Sequence, residues 1–336
     1  MKRLVFVFVG LSLLLLSCDL FSQTIPKRDV EVSASLNKTT CVVGEPVYLT
    51  FEFRSTTAVM KEFRTQLNFY GDVKIKIFPP ERLPVDYRGS FLPTIETYNV
   101  FEIPPGKVER VSMIFYYSED SPDGLIFDRP VKFPISLTLD GLIETEKVIY
   151  EFPPFQLEVK APQDKDNQAL SFLRKKALVY DIHQGRASRE NSGAFETFLA
   201  KFPDSVYTPY VLYTVANGYM VKRKDKDADF PQAIELFKKY IERYPNTILT
   251  DDAVYKIGDC YNSLGDKKMA KQWLVKLHNE YSQSNRLNYY DPLMKEYIFI
   301  PKEDQGPNDQ WMLYDTPVPF EPGVPGGNSQ QGLAVD

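Results

Sequence analysis

Two stretches 42 positions apart repeat one another. The segment KFPDSVYTPYVLY (201–213) is echoed by RYPNTILTDDAVY (243–255). Laying 195–219 over 237–261 pairs identical residues at Phe195/Phe237, Pro203/Pro245, Thr208/Thr250, Tyr213/Tyr255 and Tyr219/Tyr261. Conservative matches fill the gaps, among them Phe198/Tyr240, Leu199/Ile241 and Val215/Ile257. A repeat of this size predicts a helical solenoid, whose units bury their apolar faces only by stacking on neighbours.

The physics of one unit supports that reading. Phe237, Tyr240, Ile241 and Tyr244 fall at i, i+3, i+4 and i+7, the apolar face of a helix. Pro245 ends that helix, since it lacks an N–H and restricts the residue before it. Thr250 is expected to open the next helix and to cap its free N–H groups, with Asp251 and Asp252 at the positive end of the dipole. In the earlier copy Thr208 takes the same role and Pro209 the first helical position. Gly258 permits a close helix approach, Gly265 stops the helix and Asp266 caps the one after. That next helix carries a further copy at an offset of 37: Ala233/Ala270, Leu236/Trp273, Phe237/Leu274, Tyr240/Leu277 and Tyr244/Tyr281. The run KRKDKDAD (222–229) reads as an inserted inter-helix loop.

Residues 29–160 follow a different beat. In PVYLTFEF (46–53), Val47, Leu49, Phe51 and Phe53 point one way and Tyr48, Thr50 and Glu52 the other. Strand patterns recur at 30–36, 72–78, 97–103, 107–117, 131–139 and 147–159. Turn signals separate them at Gly44-Glu45-Pro46, Pro79-Pro80, Pro104-Pro105-Gly106, Pro122-Asp123-Gly124 and Asp140-Gly141. Some seven strands, each with one apolar face, imply two antiparallel sheets packed face to face. Tyr87, Phe91, Tyr116 and Tyr117 are candidate exposed aromatics that could stack on sugar. The polar stretch 160–170 reads as the junction between the two domains.

The N-terminus is a targeting segment in pattern. Lys2 and Arg3 precede an apolar run, Leu4–Leu16, that at ~1.5 Å per residue falls short of a ~30 Å hydrocarbon core. A signal peptide over 1–17 is expected, followed by LLSC (15–18). This resembles the lipobox of bacterial lipoproteins, and the resemblance implies that Cys18 is lipidated and becomes the first mature residue, with 18–28 as a tether. Two or more acyl chains suffice for stable membrane anchoring. In enteric-type envelopes Asp19 would signal inner-membrane retention, a rule other bacterial groups do not follow, so the choice of membrane stays open.

Composition narrows the partners and the chemistry. The net charge is −5 and no basic block stands out, which argues against a nucleic-acid partner. With Cys18 assigned to lipid, Cys41 and Cys260 remain; they could pair, but the favoured reading is two buried free thiols. His183 and His278, the two histidines, lie in amphipathic helix patterns, and no nucleophile-elbow, phosphate-loop or zinc-protease motif occurs. Asp225, Asp227 and Asp229 imitate the start of a calcium loop, but Phe230 replaces its Gly and Leu236 its bidentate Glu. The expectation is therefore a protein that is not an enzyme and has no cofactor or metal. The tail 286–336 is expected to begin with a capping element near Met294 and to continue as an extended Pro/Gly-rich segment. Its aromatics Trp311, Tyr314 and Phe320 could dock on the solenoid or on a partner.

The opening SLNKTTCVVGEPVYLTFEF (35–53) resembles the first strands of bacterial immunoglobulin-like domains, which implies an immunoglobulin-like β-sandwich over 29–160. The pattern Ala233, Phe237, Tyr240, Tyr244, Pro245, Ala253, Tyr255, Gly258 and Tyr261 resembles tetratricopeptide repeats, specifically those of envelope lipoproteins of the outer-membrane-assembly and cell-division-coordinator type. The resemblance covers about 100 of the 336 residues and implies a repeat domain over 165–285. The function it implies is a lipid-anchored scaffold gripping a protein partner in a groove between the first helices of each pair. The alternative is a surface module whose β-domain binds glycan or a host ligand. In the outer-membrane-assembly proteins the repeats follow the anchor directly, whereas here a β-domain intervenes.

Overall fold

The computed structural model describes residues 28–68, 71–89, 99–221, 228–281, 284 and 286. The expectations for the signal peptide, for Cys18 and its tether, for Phe91, Asp225 and Asp227, and for the tail beyond Arg286 lie outside these residues.

The β-rich half holds β1 (Val30–Leu36), β2 (Thr40–Val42), β3 (Val47–Ser55), β4 (Lys61–Thr65), β5 (Val73–Ile77), β6 (Val85–Tyr87), β7 (Asn99–Ile103), β8 (Val108–Phe115), β9 (Lys132–Ile143), β10 (Glu146–Glu151) and β11 (Phe155–Lys160). One sheet has the order β1-β3-β8; the other centres on β9, which pairs with β4, β5, β10 and β11. All pairs are antiparallel except β2 with β11. The sheets meet through aromatic rings: Phe53 of β3 lies 4.5 Å from Phe101 of β7, and Phe115 of β8 lies 4.4 Å from Tyr87 of β6. Val47, Leu49, Phe51 and Phe53 are all buried, as their alternation predicts. Two aromatic pairs at this spacing add to the burial of their own area.

Three expectations for this half are corrected. Asp140-Gly141 is not a turn, because β9 runs through it. A Cβ at Gly141 would collide with the Phe63 ring, so glycine lets β4 and β9 close up. Short strands β2, β4 and β6 escape a search for long alternation. Tyr87, Tyr116 and Tyr117 are 2%, 2% and 3% exposed, so they are core residues and not a sugar-stacking platform.

The helical half comprises α1 (Asp164–Leu173), α2 (Lys176–His183), α3 (Ser192–Lys201), α4 (Thr208–Tyr219), α5 (Phe230–Arg243), α6 (Thr250–Ser263) and α7 (Lys267–Glu280). The polar junction of the sequence is thus largely a helix, with Ala169, Leu170 and Leu173 of α1 buried beneath its charged face. No helix among the described residues is long and apolar enough to cross a membrane.

The halves share one core. The turn at Val43–Glu45 inserts between helices: the Tyr207 hydroxyl donates to the Val43 carbonyl at 2.6 Å, and Leu170 and Tyr207 crowd Gly44, whose φ is +76°. Lys38 donates to Glu45 at 2.6 Å and to the Tyr210 hydroxyl at 2.8 Å. Tyr117 stacks on His183 at 5.6 Å and meets Tyr180 edge-on at 5.3 Å. Tyr48, expected on the solvent side of β3, is buried against Tyr213 and its neighbours in the helical core. Period-two alternation reads which face a residue occupies, not whether a second domain covers that face.

Candidate functional site

The inter-helix turn is built the same way twice. The Thr208 hydroxyl donates to the Phe202 carbonyl at 2.7 Å, and Thr250 donates to the Tyr244 carbonyl at 2.8 Å. Each therefore satisfies the frayed C-terminus of the preceding helix. This corrects the expected role: the capping positions of α4 and α6 are Tyr207 and Leu249, which make no side-chain cap. The Thr250 hydroxyl also accepts the Thr247 N–H at 3.0 Å, and Thr247 in turn bonds the Tyr240 hydroxyl at 2.6 Å. Asp229 and Asp266 do cap, accepting from the N–H of Gln232 at 3.1 Å and of Met269 at 3.0 Å. Pro203 and Pro245 stand just past the ends of α3 and α5 and are exposed.

Between the turns the matched residues fill the core. Phe195 and Phe237 are fully buried, and the Tyr213 ring meets Phe237 at 5.6 Å and Tyr240 at 5.9 Å. A Cβ on Gly258 would lie 3.3 Å from Leu274, so α6 and α7 approach closely there. Tyr219 donates to Glu196 at 2.8 Å, while one unit on Lys238 donates to Tyr261 at 3.2 Å. Glu196 and Lys238 occupy the same repeat position, so the contact persists while its charge inverts. Tyr255, the repeat partner of Tyr213, lies instead 5.8 Å beneath the Arg286 guanidinium, which forms a buried ion pair with Asp252. That pair was not legible, since Arg286 lies six residues beyond the end of the last helix.

The site has a buried, low-dielectric floor and a polar outer face. Burial pushes the Cys41 and Cys260 thiols up to about 12, and both are free and buried. Burial lowers His183 to about 4. Burial, then the neighbouring Asp252 carboxylate, raises Asp251 to about 6. Lys256 is lowered, first by burial and then by Arg286. Among the described residues no group of three or more His, Cys, Asp or Glu side chains is placed to hold a metal ion.

What faces solvent differs from helix to helix. From Val211 to Gly218, α4 is wholly buried. Part of its cover is the chain's own α2–α3 connection, where Asn217 donates to the Gly185 carbonyl at 3.0 Å and the Ala187 N–H donates to the Thr214 carbonyl at 2.9 Å. A small cleft of about 20 Å³ remains between Tyr48 and Ile114 of the sheet and His183, Tyr210, Leu249 and Asp252 of the helical half. Open helical surface is carried by α5, through Gln232, Glu235, Lys239 and Glu242, and by α7, through Lys268, Lys271, Gln272 and Val275. Ile234 is buried and Ile241 half-buried on α5, but their equivalents on α7 are Lys271 and His278, both exposed. At these two positions α7 thus presents a more polar outer face than α5.

The comparisons agree with the helical part. The tetratricopeptide repeat model matches residues 221–247 and 252–284. The second match takes in α6 and α7 together, which shifts the pairing expected from sequence by one helix: α5 and α7 are the second helices of their units. No curated protein matches the chain. Among solved structures, a sporulation control protein, Spo0M, from Bacillus subtilis is similar at 13% identity and a TM-score of 0.24, over 44% of this chain and 55% of that one. A structural genomics target, SoR45, aligns at 10% identity and a TM-score of 0.26, over 40% of this chain and 88% of that one. The alkylpurine DNA glycosylase AlkC of Pseudomonas fluorescens aligns at 11% identity and a TM-score of 0.24, over 40% of this chain and 31% of that one. This chain therefore spans only about half the length of the Spo0M chain, and likenesses this slight carry no argument about function. What stands is a β-rich region joined to a helical region that contains tetratricopeptide repeats.

Proposed function

We propose that the protein is a lipid-anchored adaptor of a bacterial envelope, which holds a protein partner on its helical repeats. The observation that carries this reading is the polar, open surface of α5 and α7, which flank the largely buried α4 and α6. Repeats of this family suggest a protein partner, and a stacked solenoid offers a broad, rigid surface at little ordering cost. The anchor is Cys18, on the strength of the LLSC pattern behind a charged and then apolar leader. The β-rich half is an immunoglobulin-like spacer, a reading supported by two face-to-face, almost wholly antiparallel sheets. On this reading the protein works by holding a partner and not as an enzyme.

Photo-crosslinking residues placed singly at Lys239 of α5, Lys271 of α7 and Lys74 of β5 in the full chain test the partner surface in cells. Adducts to a defined protein at 239 and 271, with none at 74, are expected. Adducts confined to 74 would reverse the assignment of surfaces. Labelling with an alkyne fatty acid tests the anchor: it should vanish in Cys18→Ala, and persistence there rules the anchor out.

A further inference from the structure

The two ends of β3 lead to different neighbours. Its N-terminal end follows the Val43–Glu45 turn that plugs into the helices. Its C-terminal end, about 26 Å away at ~3.3 Å per residue, opens into the connection Thr56–Met60. That connection is tied to the start of the described chain: the Thr56 N–H donates to the Asp29 carbonyl at 2.9 Å, and its hydroxyl donates to the Arg28 carbonyl at 2.7 Å. Val59 and Met60 at its tip are 59% and 57% exposed. Ile149, whose carbonyl accepts from the Arg28 guanidinium at 2.7 Å, is 45% exposed. Three large apolar side chains therefore stand in solvent around the point where the chain leaves for Cys18.

We propose that this end of the β-rich region is a membrane-contact surface, with Val59 and Met60 entering the headgroup–acyl boundary and the repeats held at the far end. The proposal rests on the anchoring of Cys18. Ten residue steps separate Cys18 from Arg28, which at ~3.6 Å each allow at most about 36 Å of tether. A chain anchored so closely meets the bilayer at a high effective concentration, so a small apolar contact suffices to orient it. The charges at this end are largely offset: Lys61 bridges Asp29 at 2.7 Å and Glu144 at 3.1 Å, and Lys147 lies 3.6 Å from Asp140. Recognition is therefore apolar, and a neutral bilayer serves as well as an anionic one. The opposite end of β9, where the Phe78 N–H donates to the Pro134 carbonyl at 2.9 Å, carries Leu83, which is 85% exposed. It makes an internal control, since exposure alone would treat both ends alike.

The test uses the full lipidated chain, purified from membranes and reconstituted into phosphatidylcholine vesicles containing brominated acyl chains. An environment-sensitive fluorophore is attached at Met60→Cys or Leu83→Cys; the buried native Cys41 and Cys260 do not compete for it. Quenching by the brominated lipid should be at least two-fold greater at 60 than at 83, and unchanged when a fifth of the lipid is made anionic. Adding Val59→Asp to the position-60 variant should abolish the difference while the protein still floats with vesicles. Flotation with equal quenching at the two positions overturns the contact and leaves the anchor standing. Failure of the wild-type protein to float overturns both.

Discussion

Tyr207 and Val43, 164 residues apart in sequence, are joined by a hydrogen bond of 2.6 Å that crosses from the helices to the β-rich half. Both groups are buried, so the bond is made where a missing partner is costly. The two halves thereby behave as one packed body, with Leu170, Tyr117 and Tyr48 completing the seam.

Tyr207→Phe should cost about 1–3 kcal/mol, because it leaves the Val43 carbonyl buried without its donor. Urea unfolding followed by both far-ultraviolet circular dichroism and tyrosine fluorescence checks this. The two probes should report a single coincident transition in the wild type. Separation into two transitions in the variant would show that this seam is what couples the halves.

Thr208→Val should destabilise by about 1 kcal/mol, because it removes one donor to a helix-end carbonyl, and Thr250→Val by more, because it also takes the acceptor from the Thr247 N–H. Thr→Ser at either position keeps the hydroxyl and should recover most of the loss. If instead these residues were helix caps, Asn would substitute well; on the observed geometry it does not, and chemical denaturation of the Asn variants separates the two roles.

Two glycines should respond differently to Ala. Gly141→Ala forces the Phe63 ring out of its place and meets the Arg64 carbonyl at 3.1 Å, which should cost about 2–3 kcal/mol. Gly258→Ala meets Leu274 at 3.3 Å, but gains about 1 kcal/mol of helix propensity, so its net effect should be within 1 kcal/mol of zero. Melting temperatures of the two variants rank them.

Two groups bias stability with pH in opposite directions. The folded state lowers His183 from 6.5 to about 4, so the unfolded chain binds the extra proton. Stability from this group is complete above 6.5 and is lost as pH falls toward 4. Asp251 is raised from 3.8 to about 6, so the folded chain binds the proton more tightly and stability is lost as pH rises from 3.8 through 6. His183→Gln should flatten the acid-side decline, and Asp251→Asn should remove the opposing trend and steepen it. Denaturant midpoints measured from pH 4 to 7.5 show both slopes.

The repeat was legible because its signal is redundant: Phe237, Tyr240 and Pro245 each report the same helix end, and the offset of 42 repeats them all. The β-strands at Val47–Phe53 were legible by alternation. What escaped was long-range. Nothing near Tyr48 announces that helices will cover it, and the Gly44 turn looks like any strand connection until Tyr207 is seen against it. The Thr250 hydroxyl was assigned to the wrong partner because threonine at a helix start offers two: the N–H groups ahead and the carbonyl behind. Arg286 could not be read, since its meaning depends on Asp252, 34 residues back across two helices.

A repeat array has no intrinsic length, because any unit can template the next and a free apolar end invites another molecule to continue the series. Lys271 and His278, standing where Ile234 and Ile241 stand one unit earlier, put two polar side chains in place of that apolar face. The outer face of α7 is therefore a poorer template than that of α5 for a further unit or for a second copy stacking end to end.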